Sequence, residues 1–144
     1  MATGLSSRNR FEGRITALQP GAINTEVELT LPGGDVIVAV ITQSSARSLG
    51  LTVGMPAVAL VKAPWVIVQA GVPTLKFSAR NQLAGTVSAV QAGAVNSEVA
   101  ITLPGGSVVL AIITNDAVTE LDLKPGVAAT ALIKSSHVVL GVPR

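Results

Sequence analysis

Polar and apolar residues alternate along residues 24–31, which have the sequence Asn-Thr-Glu-Val-Glu-Leu-Thr-Leu. This period of two predicts a strand with one buried face. The sequence Leu-Pro-Gly-Gly follows at 31–34, where proline fixes φ and glycine permits a positive φ, so a tight turn is predicted there. A return strand over residues 35–42 completes a β-hairpin.

Two predicted strands are apolar on both faces. They cover residues 36–41, Val-Ile-Val-Ala-Val-Ile, and residues 57–61, Ala-Val-Ala-Leu-Val. An antiparallel sheet tolerates such strands only where something covers its outer side. We interpret that cover as another copy of the same domain.

A short helix is predicted between these two strands, over residues 43–51. Ser44 or Ser45 is available as its N-cap, and Gly50 or Gly54 can end it. Strands near 12–18 and 64–69 complete the unit. Five short strands with one helix in about 65 residues are typical of a small closed or nearly closed barrel of the OB type.

The whole pattern occurs twice in the chain. Ser6–Val68 reappears as Ser78–Leu140 at a constant offset of 72 residues without a gap, and 28 of the 63 aligned positions are identical. The predicted fold class is therefore all-β with short helices, as two tandem OB-like β-barrels related by an internal repeat. We place the first domain at 5–70, a short linker at 71–76 and the second domain at 77–144. Because the linker contains Gly and Pro, the barrels are expected to pack against each other.

The composition limits the possible functions. Hydrophobic residues make up 49% of the chain and charged residues only 12%, about half the usual share, so we expect other subunits to cover part of the surface. There is no stretch of about 20 apolar residues that would span a bilayer. Met1–Arg10 also lacks the features of a secretory signal. We therefore expect a soluble, cytoplasmic protein.

Several chemistries are excluded by residues that are missing or rare. Cysteine is absent and His137 is the single histidine, which excludes thiolate or imidazole metal cages and Cys/His nucleophiles. His137 aligns with Trp65 of the other repeat, so it is predicted to be a packing position. The net charge of +2 and the aromatic share of 2% argue against a nucleic-acid binder, because OB grooves usually combine basic residues with stacking aromatics.

Only three charged positions are kept in both repeats: Arg8/Arg80, Glu26/Glu98 and Lys62/Lys134. Each arginine lies in a Ser-x-Arg-Asn segment before the first strand, and each lysine ends an apolar strand. Guanidinium, ammonium and hydroxyl groups offer donors and positive charge, and with no shared carboxylate in these motifs they suit an oxyanion. A fully deprotonated tetrahedral dianion fits donors alone, whereas phosphate carries a proton that needs an acceptor, so sulfate-like or molybdate-like ions are favoured.

A structural interpretation competes with each functional one. The arginines and lysines could be surface charges whose stems cover apolar edges, with Ser and Asn capping a strand. Glu26 and Glu98 are placed on the solvent or interface face of a strand. An acid/base role would need a second shared carboxylate, and there is none, so no catalytic residue is predicted and the protein is not expected to be an enzyme.

Three segments of the second repeat carry a family resemblance. These are Ser78–Val87 (Ser-Ala-Arg-Asn-Gln-Leu-Ala-Gly-Thr-Val), Gly93–Val99 (Gly-Ala-Val-Asn-Ser-Glu-Val) and Ala131–Gly141 (Ala-Leu-Ile-Lys-Ser-Ser-His-Val-Val-Leu-Gly). They resemble the molybdate-binding Mop domain of the broader TOBE group. Two tandem copies resemble the molbindins of the ModG type, which act in molybdenum storage and homeostasis.

The resemblance implies a trimer of two-domain chains that holds molybdate or tungstate at contacts between domains, without an organic cofactor and without cation ligands. By motif, the oxyanion-binding residues would be Ser6, Ser7, Arg8, Thr42, Ser45, Lys62 and Ala63 in the first copy and Ser78, Ala79, Arg80, Thr114, Lys134 and Ser135 in the second. The family also has a site type on the threefold axis. Its weaker candidates here are Gly21, Ala22, Ile23 and Asn24, with Gly93, Ala94, Val95 and Asn96.

The leading hypothesis is therefore a cytoplasmic homotrimer that binds molybdate or tungstate, with neither nucleic acid nor membrane as a partner. One alternative is a regulatory or sensor module that serves a molybdate transporter or regulator. The other, less favoured, is an OB-fold nucleic-acid binder.

Overall fold

The computed structural model describes residues 5–144, so only Met1–Gly4 of the segment tested for a secretory signal lie outside it. The structure is mainly β, with two short helices, and the two repeats fold alike. The first repeat contains β1 (Asn9–Pro20), β2 (Asn24–Thr30), β3 (Val36–Thr42), α1 (Gln43–Leu49), β4 (Pro56–Val61), a 3₁₀ turn (Ala63–Trp65) and β5 (Ile67–Ala70). The second contains β6 (Asn81–Ala92), β7 (Asn96–Thr102), β8 (Val108–Thr114), α2 (Asn115–Glu120), β9 (Ala128–Ile133), a 3₁₀ turn (Ser135–His137) and β10 (Val139–Gly141).

The predicted hairpin is confirmed, since β2 and β3 pair antiparallel from Asn24 opposite Thr42 to Thr30 opposite Val36. The helix is also present and ends at Gly50, whose φ of 64° is the left-handed conformation that glycine adopts easily. The predicted serine N-cap is wrong. Thr42 is the cap, because its hydroxyl accepts from the backbone N–H of Ser45 at 3.0 Å.

The last strand of each repeat joins the sheet of the other repeat. One sheet has the order β10-β4-β1-β2-β3 and the other β5-β9-β6-β7-β8. The expectation that residues 64–69 complete their own unit is therefore wrong. The repeats fold alike and β4 and β9 share the Ala-x-Ala-Leu pattern, so the two strands offer equivalent edges, and the strand that follows each can pair with either one. Val139 lies opposite Leu60, and Val68 lies opposite Ala131.

One continuous apolar core runs through both repeats, which confirms that the barrels pack together. The exchanged strands contribute Val68 and Leu140 to it. The cover expected over the apolar strands comes in part from the other repeat, because the 3₁₀ turn Ser135–His137 packs on β3 and Ala63–Trp65 packs on β8. Within residues 5–144, no helix is long and apolar enough to cross a membrane.

The two Leu-Pro-Gly-Gly turns meet where the repeats face each other. A Cβ on Gly33 would lie 1.9 Å from the carbonyl oxygen of Gly105, so only glycine lets the two backbones come this close. The backbone N–H of Gly105 donates to a carboxylate oxygen of Asp35 at 3.3 Å. These turns therefore belong to the interface between repeats as well as to their hairpins.

Candidate functional site

One buried asparagine holds the start of each repeat against the other repeat. Asn9 donates from Nδ2 to the Leu110 carbonyl at 2.7 Å, and Leu110 N–H donates back to Asn9 Oδ1 at 2.7 Å. Asn81 makes the equivalent pair of bonds with Val38. Leu110 and Val38 lie on β8 and β3, the terminal strands of their sheets, so each amide satisfies backbone groups that no neighbouring strand pairs.

The arginine that precedes each asparagine reaches a glutamate of the other repeat. Arg80 Nη1 lies 2.5 Å from Glu26 Oε2, and Arg8 Nη1 lies 3.0 Å from Glu98 Oε2. The expectation of a donor-only site is therefore wrong, because docking of the repeats brings a shared carboxylate to each shared arginine. The placement of Glu26 and Glu98 on an interface face is confirmed.

Five of the predicted second-copy residues line one cavity of about 370 Å³. These are Ser78, Ala79, Arg80, Lys134 and Ser135. Ile67, Phe77 and Leu132 form its apolar part, and Ile67 comes from the exchanged strand β5. The cavity thus combines a guanidinium, an ammonium and hydroxyls with a partly dehydrated wall, and such groups can hold an oxyanion by charge-assisted hydrogen bonds.

The first copy has a corresponding cavity of about 210 Å³. Ser6, Ser7 and Lys62 line it, together with the rings of Trp65 and His137, whose centroids are 4.9 Å apart and whose planes are tilted by 43°. The ring contact confirms that the aligned positions 65 and 137 pack. Lys62 Nζ lies 3.5 Å from Ser6 Oγ, and the Ser7 hydroxyl donates to the Val61 carbonyl at 3.0 Å. Ala63 is buried directly after the lysine, and Arg8 is not among the lining residues of this cavity.

Thr42 and Ser45 line a different cavity, of about 700 Å³, together with Asn24 and residues of the second repeat that include Ser136 and Val139. Thr42 Oγ1 accepts the cap hydrogen bond from Ser45 N–H and donates to Ser45 Oγ at 2.9 Å. Thr114 likewise caps α2 by accepting from Ala117 N–H at 3.1 Å. Both threonines therefore cap the helix of their own repeat. The cavity that Thr42 and Ser45 line includes Ser136 of the other repeat's 3₁₀ turn, but neither Ser6 nor Lys62.

The two Gly-Ala-(Ile/Val)-Asn segments form the tips of the β1–β2 and β6–β7 hairpins. Gly21 N–H donates to the Asn24 carbonyl at 2.7 Å, and Gly93 N–H does the same with Asn96 at 2.8 Å. Ile23 is 76% exposed at its tip. The tip residues of the second copy are Ala94 and Val95, and Ala22 is the remaining tip residue of the first copy.

Arg80 borders two cavities. It lines the one with Ser78 and Lys134, and it also lines one of about 520 Å³ with Gly21, Asn24 and Glu26. The structure therefore brings one predicted main-site residue beside two predicted second-type residues. Within residues 5–144 there is no group of three or more His, Asp or Glu side chains placed to hold a metal ion.

Sequence reasoning omitted Asn9 and Asn81 from the candidate residues, although both are identical between repeats. The signal was available, because a polar residue kept at the start of an apolar strand indicates a buried hydrogen-bonding role. Each is only 1% exposed. Their hydrogen bonds to Leu110 and Val38 hold the backbone beside Arg8 and Arg80 against the other repeat.

Two known proteins that match nearly the whole chain are both named as molybdenum proteins. The molybdenum transport protein ModE of Herbaspirillum seropedicae is 42% identical over 142 residues, which are 99% of this chain and 53% of ModE. The molybdenum-pterin-binding protein MopA of Rhodobacter capsulatus is 43% identical over 138 residues, 96% of this chain and 52% of MopA. The chain thus spans about half the length of these relatives.

A solved structure resembles almost the whole chain. The cytoplasmic molybdate-binding protein ModG, crystallised with molybdate bound, matches with a TM-score of 0.91 at 50% identity, over 96% of this chain and 99% of ModG. The TOBE domain model matches twice, at residues 5–68 and 78–140. The expected resemblance is confirmed, and the chain belongs to the TOBE domain family, of which it carries two copies in tandem.

Proposed function

We propose that this protein binds molybdate reversibly and serves as a store or buffer of the oxyanion in the cytoplasm. One observation carries the proposal: the cavity that combines Ser78, Arg80, Lys134 and Ser135 lies in a chain that is 50% identical to molybdate-bound ModG. MopA is a molybdenum-pterin-binding protein and ModG is a molybdate-binding protein, so we propose that this chain likewise binds its ligand and catalyses no reaction.

The chemistry of the lining supports a tetrahedral dianion. Lys134 and the serine hydroxyls supply hydrogen-bond donors, and hydrogen bonds between charged groups are about twice as strong as neutral ones. Tungstate has the same shape and charge, so we propose that it binds as well, with no organic cofactor. Ser6, Ser7, Arg8, Thr42, Ser45, Lys62 and Ala63 remain proposed ligands of the first copy, and Ser78, Ala79, Arg80, Thr114, Lys134 and Ser135 of the second.

Oligomerisation would complete these sites. Ile23, Val95, Ile67 and Val139 are large apolar residues that are more than half exposed in the single chain. Such side chains favour burial against other copies. We propose a homotrimer, with the hairpin tips Gly21–Asn24 and Gly93–Asn96 near its axis as a second site type.

The domain bounds 5–70 and 77–144, with the linker 71–76, remain a prediction.

The deciding experiment is a calorimetric titration of the ligand-free protein with molybdate, repeated in excess sulfate and in excess phosphate. We expect binding that survives both competitors, at more than one ion per chain. If excess sulfate abolishes the heat of molybdate binding, or if molybdate alone gives no heat, the proposal is contradicted. A parallel titration with tungstate tests the second ligand, and light scattering tests the trimer.

A second candidate function is the ligand-sensing part of a regulator. In its favour, 99% of this chain matches only 53% of the Herbaspirillum seropedicae ModE. The ModE of Escherichia coli, which is also similar to this chain, is a DNA-binding transcriptional dual regulator. A mixture of this protein with a ModE-type DNA-binding region should then bind DNA only when molybdate is present. For the protein alone we propose no nucleic-acid or membrane partner, and we expect no oligonucleotide shift at low salt.

A further inference from the structure

We propose that Glu26 and Glu98 act as internal competitors of the bound oxyanion, and so set the charge that an anion must carry to bind. In the empty protein each carboxylate occupies the arginine of the opposite repeat, and binding replaces that carboxylate by the oxyanion. This inference rests on the proposed oxyanion-binding function.

Each shared arginine is already paired with a glutamate of the other repeat. The contacts Arg80–Glu26 and Arg8–Glu98 are reciprocal, because each joins the start of one repeat to the second strand of the other. Arg80 lines the cavity of about 370 Å³ together with Lys134, yet its guanidinium is already paired with the Glu26 carboxylate. Glu26 itself lines the neighbouring cavity of about 520 Å³. An oxyanion that takes this guanidinium must therefore share it with Glu26 or displace Glu26.

Water reaches the Arg80–Glu26 ion pair. The side chain of Arg80 is 51% exposed and that of Glu26 is 26% exposed. Ion pairs that water reaches are weak, and the carboxylate can rotate into solvent without being left buried and unpaired. The contact is therefore easily opened, as a competitor must be.

The glutamate and the arginine are kept together in both repeats. Among all charged positions only the arginine, the glutamate and the lysine are kept in both copies, and the structure shows that two of these three contact each other. Glu28 lies on the same face of β2 as Glu26, makes no ion pair within residues 5–144, and is replaced by Ala100 in the second copy. The glutamate is thus retained only where it meets the arginine.

The consequence is a charge threshold. A monoanion such as chloride that displaces the carboxylate exchanges one negative charge for another, and gains no electrostatic energy at the guanidinium. A dianion such as molybdate brings one additional charge, whose attraction to Arg80 and Lys134 remains after the exchange. The glutamates would therefore reduce competition by abundant monoanions at a small cost in affinity for molybdate.

The test compares Glu26→Gln/Glu98→Gln with the matched control Glu28→Gln, which removes a charge from the same strand face without touching an arginine. Molybdate is titrated calorimetrically in two buffers of the same ionic strength. The first contains a bulky monoanion such as gluconate and little chloride, and in the second chloride replaces the gluconate. We expect the double variant to bind molybdate about two- to fivefold more tightly per site at low chloride, the range that follows from a solvent-exposed ion pair. Chloride should weaken the double variant more than the wild type, and Glu28→Gln should behave as the wild type does.

Equal or weaker molybdate binding by the double variant, relative to Glu28→Gln, would overturn the inference, because the glutamates would then merely hold the arginines in place. Tighter phosphate binding by the wild type than by the double variant would also overturn it, since a fixed carboxylate would then accept the proton of phosphate. Wild-type protein that gives no molybdate heat would instead overturn the proposed function itself.

A measurement on the wild-type protein avoids the question of whether the variants fold. Carboxyl ¹³C resonances of Glu26 and Glu98 should move when molybdate is added, while that of Glu28 stays in place. Binding of molybdate with unmoved Glu26 and Glu98 signals would contradict displacement.

Discussion

Asn81 and Val38 form a two-way hydrogen-bonded bridge between the repeats: Asn81 Nδ2 donates to the Val38 carbonyl at 2.8 Å, and Val38 N–H donates to Asn81 Oδ1 at 2.7 Å. Both residues are buried. The amide therefore acts as a short substitute for a neighbouring strand on the edge of β3. It also holds Arg80 at the interface where that residue meets Glu26.

Replacing Asn81 with alanine should lower the free energy of unfolding by about 1–3 kcal/mol, because two buried backbone groups of Val38 lose their partner. Urea denaturation measures the change. Gln91→Ala is the matched control, since Gln91 is an exposed amide on the same strand β6. A variant as stable as this control would show that water replaces the amide without cost.

The repeat made much of the fold predictable. Alternation along residues 24–31 and the Leu-Pro-Gly-Gly turn predicted the β2–β3 hairpin correctly, since both signals are local. The helix begins at Gln43 as predicted, but its N-cap was misassigned, because Thr42, Ser44 and Ser45 are all good N-caps and the choice depends on where β3 ends. Local patterns thus determine which elements form but fix their ends less well.

Contacts between repeats were not predictable from these patterns. The exchange of β5 and β10 depends on a choice between two similar sheet edges, which no single strand's sequence distinguishes. The pairing of Arg80 with Glu26 likewise joins residues 54 positions apart in the chain. The shared arginine, glutamate and lysine could be found from the repeat, but their arrangement required the docked structure.

Strand exchange predicts that damage to β10 destabilises the first repeat's sheet as well as its own repeat. Leu140→Ala should lower the free energy of unfolding by about 2–5 kcal/mol, because its side chain is part of the shared core. Val53→Ala is the control, since the Val53 side chain is 63% exposed and lies outside the shared core. We expect one cooperative thermal transition in both variants, and two separate transitions for Leu140→Ala would contradict a shared core.

Removal of the Lys134 ammonium should weaken molybdate binding at the second-copy cavity. A hydrogen bond to a charged group contributes about 1.5–3 kcal/mol, so Lys134→Ala should raise the Kd of that site by about 10- to 100-fold. Calorimetric titration with molybdate measures this Kd. Lys124→Ala is the control, because Lys124 is exposed and its ion pair with Asp122 is on another loop. Equal affinities of the two variants would remove Lys134 from the site.

Trp65 should report on the first-copy cavity. It is the single tryptophan of the chain, it is 48% exposed, and it lines the cavity with Ser6, Lys62 and His137. An oxyanion held by Lys62 would change the charge and hydration around the indole, so molybdate should change the tryptophan emission. Lys62→Ala should shift this fluorescence titration to about 10- to 100-fold higher molybdate, for the reason that applies to Lys134. Lys124→Ala should leave the curve unchanged. If emission responds equally in wild type and Lys62→Ala, the signal comes from binding elsewhere, and Lys62 does not hold the ion beside Trp65.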